Sequence, residues 1–395
     1  MNDSVMSSKA DRSEASQQAD STMRWGHRFI NAAMRTLYFG RIHVLDLSDE
    51  DAAGSANQRP RLIISSHRNG AIDGHQVLAA FPRAQFLISI QLLRSWFLRL
   101  FIAGIPVVRP KDVERYDLDP TSVASPVEAG TAHLRRGGDL GIFPESSSEW
   151  GHRPQPYKSG AARIACTLIE ESLDLEIIPV GLFYSTPDRF RSRAEVVRGK
   201  SITIPDRNGQ DRSVWEAQVA SALKAALDDV SVNCPDEATF ERIQAEALTT
   251  ARHTASGSAT FARAFLDLQN EAATPPTSSV TSTDTSTVAA HAATDTHVAD
   301  DGRGGVSSAV KVLRWVGLTL MWLFAPILGA AAFAGSRADG RNTVTLFRLL
   351  GGFAAVMVWI PVLIAAAFFW PLVIGIGIVS AVCGWLLLGL RRVRL

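Results

Sequence analysis

In the stretch Leu62-Ile63-Ile64-Ser65-Ser66-His67-Arg68-Asn69-Gly70-Ala71-Ile72-Asp73-Gly74, an apolar run ends on a histidine, and a carboxylate follows one tight loop later. Histidine is the side chain whose unperturbed pKa lets it take and return a proton near neutral pH, and an acid partner fixes its tautomer and stabilises the imidazolium. Asp73 is the natural partner of His67. Gly70, Gly74 and Asn69 tolerate backbone with positive φ, so the loop can fold the carboxylate back onto the ring. A strand-end histidine that merely caps a turn has the same local pattern, so the rest of the chain must decide between the two.

Other chemistry-bearing groups recur at similar corners. Asp139-Leu140-Gly141-Ile142-Phe143 reads as a strand and delivers Pro144-Glu145-Ser146-Ser147-Ser148-Glu149. Lys158-Ser159-Gly160-Ala161-Ala162-Arg163 then opens a helix whose N-terminal amides can face an anion. The run Ala103 to Val108 ends on the fixed charge of Arg109. Backbone amides near Gly70 or Gly160 are candidates for stabilising an oxyanion. Glu145, if buried, needs a partner, whether a bound acceptor or a basic side chain.

The elements that must position these groups alternate between strand and helix. The pattern predicts strands over 41–47, 62–66, 85–90 and 175–182, and helices over 75–80, 127–136, around Trp215 to Ala226 and around Phe240 to Leu248. The fold class expected is α/β, a mixed sheet flanked by helices with the active site at strand ends, plus C-terminal α-helical membrane segments. Arg24 to Phe39 reads as an amphipathic helix with arginines and a tryptophan, suited to the headgroup layer or to ordinary packing. Leu92 to Ile102, rich in large apolar groups with Arg94 and Arg99, is open to the same two readings.

Composition divides the 395 residues unevenly. Residues 1–22 are polar, without the apolar core of a signal peptide, and are expected to be disordered. A soluble catalytic domain is expected over 23–270, a disordered tether of Ala, Ser, Thr, Asp and Pro over 271–310, and a membrane region over 311–395. Trp315 to Gly335 and Leu349 to Leu390 contain no charge, and a spanning helix needs ~20 apolar residues. The second run is long enough for two crossings, with Pro371 where a hairpin would bend. Basic groups at Arg337 and Arg341 and at Arg391, Arg392 and Arg394 favour the cytoplasmic side, which a hairpin satisfies, with Trp315 to Gly335 then lying in the interface or on the hairpin. The net charge of +1 gives no sign of a nucleic-acid partner. Cys166, Cys234 and Cys383 show neither zinc-type spacing nor a disulfide framework, which suggests a reducing compartment.

Taken together, the corners resemble the motif set of the glycerolipid acyltransferase superfamily over roughly residues 40–250. His67 to Asp73 is similar to its catalytic dyad, with a spacing one residue longer than most members show, like the branch acting on glycerol 3-phosphate or dihydroxyacetone phosphate. Ile105-Pro106-Val107-Val108-Arg109 is similar to the second motif, whose arginine helps bind the acceptor's phosphate. Phe143-Pro144-Glu145-Ser146-Ser147-Ser148 resembles the third, Phe-Pro-Glu-Gly and a hydroxyl residue, with Ser146 in place of the glycine. Lys158-Ser159-Gly160-Ala161 resembles its downstream extension, Ile178-Pro179-Val180-Gly181-Leu182 the fourth motif, and Phe190-Arg191-Ser192 a tripeptide often found there.

The resemblance implies a membrane-bound O-acyltransferase moving an acyl group from acyl-CoA or acyl carrier protein to a hydroxyl of glycerol 3-phosphate or dihydroxyacetone phosphate in phospholipid biosynthesis. His67 would be general base and Asp73 its orienting partner. Arg109 and Lys158, then Arg68 and Arg191, are the candidates for the phosphate, and Glu145, Ser146, Ser147 and Gly160 for the acceptor loop. No metal and no cofactor beyond the thioester co-substrate is implied. The partners implied are the acyl thioester, the glycerol phosphate or lysophosphatidic acid, and the bilayer. Two alternatives stand: 1-acylglycerol 3-phosphate as acceptor, and a catalytically silent lipid- or acyl-CoA-binding membrane protein, the latter motivated by Ser146. The uncharged run disfavours a transporter, and the lack of a G-x-S-x-G elbow disfavours a serine hydrolase.

Overall fold

The structure is a computed structural model that describes residues 42–48, 59–93, 95–96, 98–108, 124–253, 260–273 and 321–392, with isolated positions between 29 and 39, at 113 and between 312 and 319. Arg109, the N-terminal residues 1–22 and nearly all of the expected tether lie outside the described residues. By internal packing the chain divides into two compact units, one of residues 1–269 with 331–351, the other of 270–330 with 352–395.

The first unit is built on a seven-stranded sheet in the order β1-β7-β6-β2-β5-β3-β4. Its strands are β1 (His43–Asp46), β2 (Arg61–Ser65), β3 (Ala84–Ser89), β4 (Ile105–Val107), β5 (Asp139–Ile142), β6 (Glu176–Tyr184) and β7 (Ala194–Arg198). All neighbours are parallel except β6 and β7. β2 lies between β5 and β6, with Ile64 opposite both Ile142 and Pro179, so the three chains leave the sheet at one edge. Central strands buried on both faces read as unbroken apolar runs, which is why Leu62-Ile63-Ile64 shows no alternation.

The pleat sorts that run between two cores. Leu62 and Ile64 join the core made with α3 (Pro126–Arg135), α4 (Gly160–Glu170), α5 (Arg212–Val230), α6 (Glu237–His253) and α7 (Thr260–Ala273). Ile63 faces the other way, toward α1 (Ile72–Ala80), Phe81 and Tyr38. A short helix, α2 (Ile90–Leu93), follows β3. α3 begins with a reciprocal cap, Ser125 Oγ accepting from the Glu128 amide and the Glu128 carboxylate accepting from the Ser125 amide, with Pro126 in the first turn. At the opposite edge, Asp139 receives Arg61 through two nitrogens at 3.1 and 2.6 Å, joining the feet of β2 and β5.

Several elements differ from the sequence-based expectations. β4 and β7 carry no strand expectation and α7 no helix expectation, and α7 runs to Ala273, past the expected end of the domain at 270. The C-terminal helices are α8 (Ala325–Ser336), α9 (Arg341–Phe369) and α10 (Leu372–Arg392). α9 starts eight residues before the uncharged run, and its first turns belong to the unit that holds the sheet rather than to a separate region beginning at 311. Among the described residues α9 is the one helix long and apolar enough to cross a membrane. In the second unit, helix breaks at Trp370 and Pro371, the expected bend, and the Trp359 indole N–H donates to the Leu323 carbonyl at 2.7 Å.

Candidate active site

The corner after β2 is built by backbone first. Ser66 N–H donates to Val180 O, and the Leu182 amide donates to Ser66 Oγ at 2.9 Å, so β6 holds the chain up to His67. The turn then closes through Ile72 N to Asn69 O and Asp73 N to Gly70 O, both 3.2 Å, and starts α1. Gly70 sits at φ +53, and a Cβ there would stand 3.0 Å from the Asn342 carbonyl oxygen, so both conformation and space call for glycine.

That turn delivers Asp73, fully buried, to four donors. Its Oδ2 accepts from His67 Nδ1 at 2.9 Å, from the Arg68 amide at 2.6 Å and from the Asn69 amide at 2.7 Å; its Oδ1 accepts from the Tyr184 hydroxyl at 2.5 Å. A carboxylate saturated in this way remains an acceptor toward the ring, so Nδ1 carries the proton and Nε2 keeps its lone pair. Burial and the neighbouring Asp73 charge hold the Tyr184 phenol well above its ordinary pKa, so it stays a donor. The His67 ring lies on Phe143 at 4.3 Å and 16°, and Phe143 on Phe86 at 5.2 Å, which fixes the plane of the imidazole. Only 15% of the His67 side chain is exposed.

The second corner wraps the first. Glu145 is buried and accepts from the His67 amide at 2.7 Å and the Gln155 amide at 3.0 Å, while the Glu149 amide donates to His67 O. Burial raises the Glu145 pKa, with the two amides, His67 and Arg68 opposing the rise. The partners its burial demanded are therefore two backbone N–H groups. Ser146, exposed, occupies the left-handed region at φ +59 with its amide donating to Phe143 O. Ser147 is exposed beside it.

The cations divide. Arg68 is turned inward: one guanidinium nitrogen donates to Gly151 O at 3.0 Å, the group lies 4.6 Å from the Trp150 ring and 5.6 Å from Phe240, and burial pulls its pKa down to about 10. It supports the second corner from below. Lys158 is exposed and its amide donates to Pro144 O at 2.8 Å, so its ammonium group starts from the edge of that corner. Gly160 opens α4, which has no side-chain cap at Ser159, and space is open where its Cβ would be. Arg191, at φ +63, lies on the connection from β6 to β7, which meets the first corner where Asn69 Nδ2 donates to Pro187 O at 3.2 Å.

Sequence reasoning missed Tyr184, Phe143 as the plate under the ring, Gln155 and Asn342. Tyr184 carries one usable signal: a phenol at the end of a buried strand must find a partner for its hydroxyl. Asn342 comes from the start of α9, where its Nδ2 donates to Ser148 O at 2.6 Å and Ser148 Oγ at 2.9 Å.

No family model matches the sequence. The chain is 31% identical over 120 residues, 28% of its length, to glycerol-3-phosphate O-acyltransferase 1 of Saccharomyces cerevisiae, and 31% identical over 136 residues, 33% of its length, to an uncharacterized acyltransferase of Schizosaccharomyces pombe. It spans 16% of the first relative and 20% of the second. Against solved structures it matches the 1-acyl-sn-glycerophosphate acyltransferase of Thermotoga maritima with TM-score 0.34 and 14% identity, over 52% of this chain and 78% of that one.

Proposed function

We propose that the chain is a member of the glycerolipid acyltransferase superfamily, as its similarity to acyltransferases over about a third of its length supports, and that it transfers a fatty acyl group from an acyl thioester to a hydroxyl of glycerol 3-phosphate or dihydroxyacetone phosphate at a membrane. The observation that carries the reading is the Asp73 carboxylate, held by two amides and a phenol and presented to His67 Nδ1 at 2.9 Å.

His67 Nε2 takes the proton of the acceptor hydroxyl as its oxygen attacks the thioester carbonyl. The resulting tetrahedral oxyanion collapses, the carbon–sulfur bond breaks, and the imidazolium returns its proton to the leaving thiolate. Asp73 stabilises the imidazolium between the two transfers and keeps the ring in the one useful tautomer. A positioned base of this kind contributes about 10²–10⁴-fold. Lys158 and the amides at the start of α4 are proposed to receive the acceptor's phosphate, with Arg109 as their partner from the motif alone. The acyl donor, CoA or carrier protein, and the membrane location, with the sheet domain on the cytoplasmic side, are part of the same proposal.

The test is acyl transfer by reconstituted protein from labelled acyl-CoA and, separately, acyl carrier protein to glycerol 3-phosphate, dihydroxyacetone phosphate and 1-acylglycerol 3-phosphate, wild type against His67→Ala. Product that vanishes in the variant supports the dyad, and the preferred acceptor identifies the substrate. Equal product from both proteins, or none from wild type with any pair, removes the reading.

A further inference from the structure

The connection between β6 and β7, residues 185–193, lies at the edge of the sheet that carries His67. Its tip, Pro187-Asp188-Arg189-Phe190-Arg191, leaves the Arg189 side chain exposed and Phe190 46% exposed. A large aromatic left in water beside arginines needs an account.

The same tip is fastened to the first two turns of α9. Thr345 Oγ1 donates to Pro187 O at 2.5 Å, Arg341 pairs with Asp188 at 3.0 Å, and the Arg348 guanidinium donates to Asp188 O. Thr345 is fully buried there, and Leu346 and Leu349 pack against the core that includes Tyr38 and Tyr184. Phe190 in turn lies edge-on to Tyr38 at 5.4 Å, and the Arg191 amide donates to Tyr38 O at 2.8 Å. The loop is thus held at a fixed height along α9.

That height can be read against a bilayer. The last charge on α9 before its apolar run is Arg348, and the run begins at Leu349. Thr345, which touches Pro187, lies one turn earlier, about 6 Å along the axis at ~1.5 Å per residue. The headgroup layer of one leaflet is about 5–8 Å thick, the difference between the full bilayer and its hydrocarbon core shared over two faces. With Leu349 at the hydrocarbon boundary, the tip falls among headgroups, where an aromatic ring and cationic side chains are favoured together.

We infer that the Pro187–Arg191 tip is a membrane-contact loop, with Phe190 entering the headgroup layer and Arg189 meeting lipid phosphate. The inference rests on the reading of α9 as a membrane helix. It adds to the proposed reaction a named lipid-binding surface beside the catalytic corner.

Fluorescence quenching in proteoliposomes tests it without measuring acyl transfer. In a Cys383→Ser background the remaining cysteines, Cys166 and Cys234, are buried and resist aqueous labelling. Single cysteines are introduced as Phe190→Cys, as Arg189→Cys in case the first variant folds poorly, as Val358→Cys on α9, and as Asp206→Cys. Asp206 follows β7 where the chain has run back along β6, Ile202 N donating to Ile177 O, so it lies near the opposite edge, the nine-residue length of β6 away, about 30 Å. Each carries a fluorophore in phosphatidylcholine–phosphatidylglycerol vesicles whose quencher nitroxide is on the headgroup or deep in the acyl chain. The expected result is at least about a two-fold loss at 190 or 189 with the headgroup quencher, a comparable loss at 358 with the chain quencher, and little change at 206. Quenching at 358 without quenching at 189 and 190 overturns the inference and leaves the membrane helix standing. No quenching at 358 overturns both. Equal headgroup quenching at 190 and 206 overturns the assignment of membrane contact to the tip.

Discussion

Asp73→Asn separates charge from geometry at the proposed catalytic corner, because an amide of the same shape can keep every contact the carboxylate makes. With its oxygen in the place of Oδ2 it accepts from His67, Arg68 and Asn69, and its NH₂ group points at Tyr184, whose hydroxyl oxygen can accept. What disappears is the negative charge beside the ring. Two unit charges about 4 Å apart interact by about 4 kcal/mol at an effective dielectric of 20, and the His67 side chain is 15% exposed, which lowers that to roughly 2–4 kcal/mol. At about 1.4 kcal/mol per decade this is a loss of roughly 30- to 1,000-fold in kcat for acyl transfer. Weaker hydrogen bonds to a neutral acceptor cost about 1–2 kcal/mol of stability, so the variant stays folded and its unfolding midpoint falls by a few degrees. The assay is initial rate from labelled acyl-CoA, alongside thermal unfolding of each variant. His67→Ala and the double variant complete the cycle, and groups acting as one unit leave the double variant no slower than His67→Ala. A folded Asp73→Asn protein within about three-fold of wild-type kcat, or a double variant whose loss is the product of the single ones, would refute the dyad.

Three further outcomes are expected. Ser146→Gly relieves a non-glycine residue at φ +59 and should stabilise the chain by up to about 1 kcal/mol without loss of transfer rate, read as a shift in denaturant midpoint; destabilisation would show that the hydroxyl is itself needed. His75 is buried, and desolvation, with the Arg35 charge beside it, lowers its pKa to about 4. A base whose folded pKa is depressed leaves the unfolded chain binding more protons, so the stability it contributes is present above about 6.5 and lost as pH falls from there through 4, about 3 kcal/mol in all. His75→Phe should therefore flatten the acid limb of stability measured between pH 7 and 4.5, and an unchanged slope would contradict the assignment. Lys158→Ala should raise KM for the phosphorylated acceptor by about 10- to 100-fold, the worth of one charge-assisted contact, with kcat nearly unchanged; an effect confined to kcat would place Lys158 elsewhere in the reaction.

How far the sequence carries depends on how local each contact is. His67 and Asp73 are six positions apart with the turn residues between them, so the pair and its corner are visible in the chain itself. β2, β5 and β6 are visible because burial on both faces forces an unbroken apolar run. β4 is hidden by Pro106, which a strand tolerates at the rim, where β4 lies. β7 is hidden by Glu195, a carboxylate inside the sheet whose partners, Arg193 and the Ala262 amide, lie just before the strand and on α7. The start of α9 is hidden for a different reason: hydropathy reports the residues that match lipid, beginning at Leu349, and says nothing of the polar turns from Arg341 that dock on the sheet domain.

These hidden contacts are also the ones that hold the visible motif in place. Tyr184 reaches Asp73 across 111 positions, and Asn342 reaches Ser148 across 194. The helix-opening turn that bears Asn342 also approaches Gly70 closely, so that a Cβ there would stand 3.0 Å from the Asn342 carbonyl oxygen. A chain carrying the same histidine, aspartate and Pro-Glu corner but a different residue at 184 or 342 would keep the motif and lose part of what fixes its geometry. The motif names the chemistry; whether the imidazole is held at the angle the chemistry needs is decided by residues that no local pattern contains.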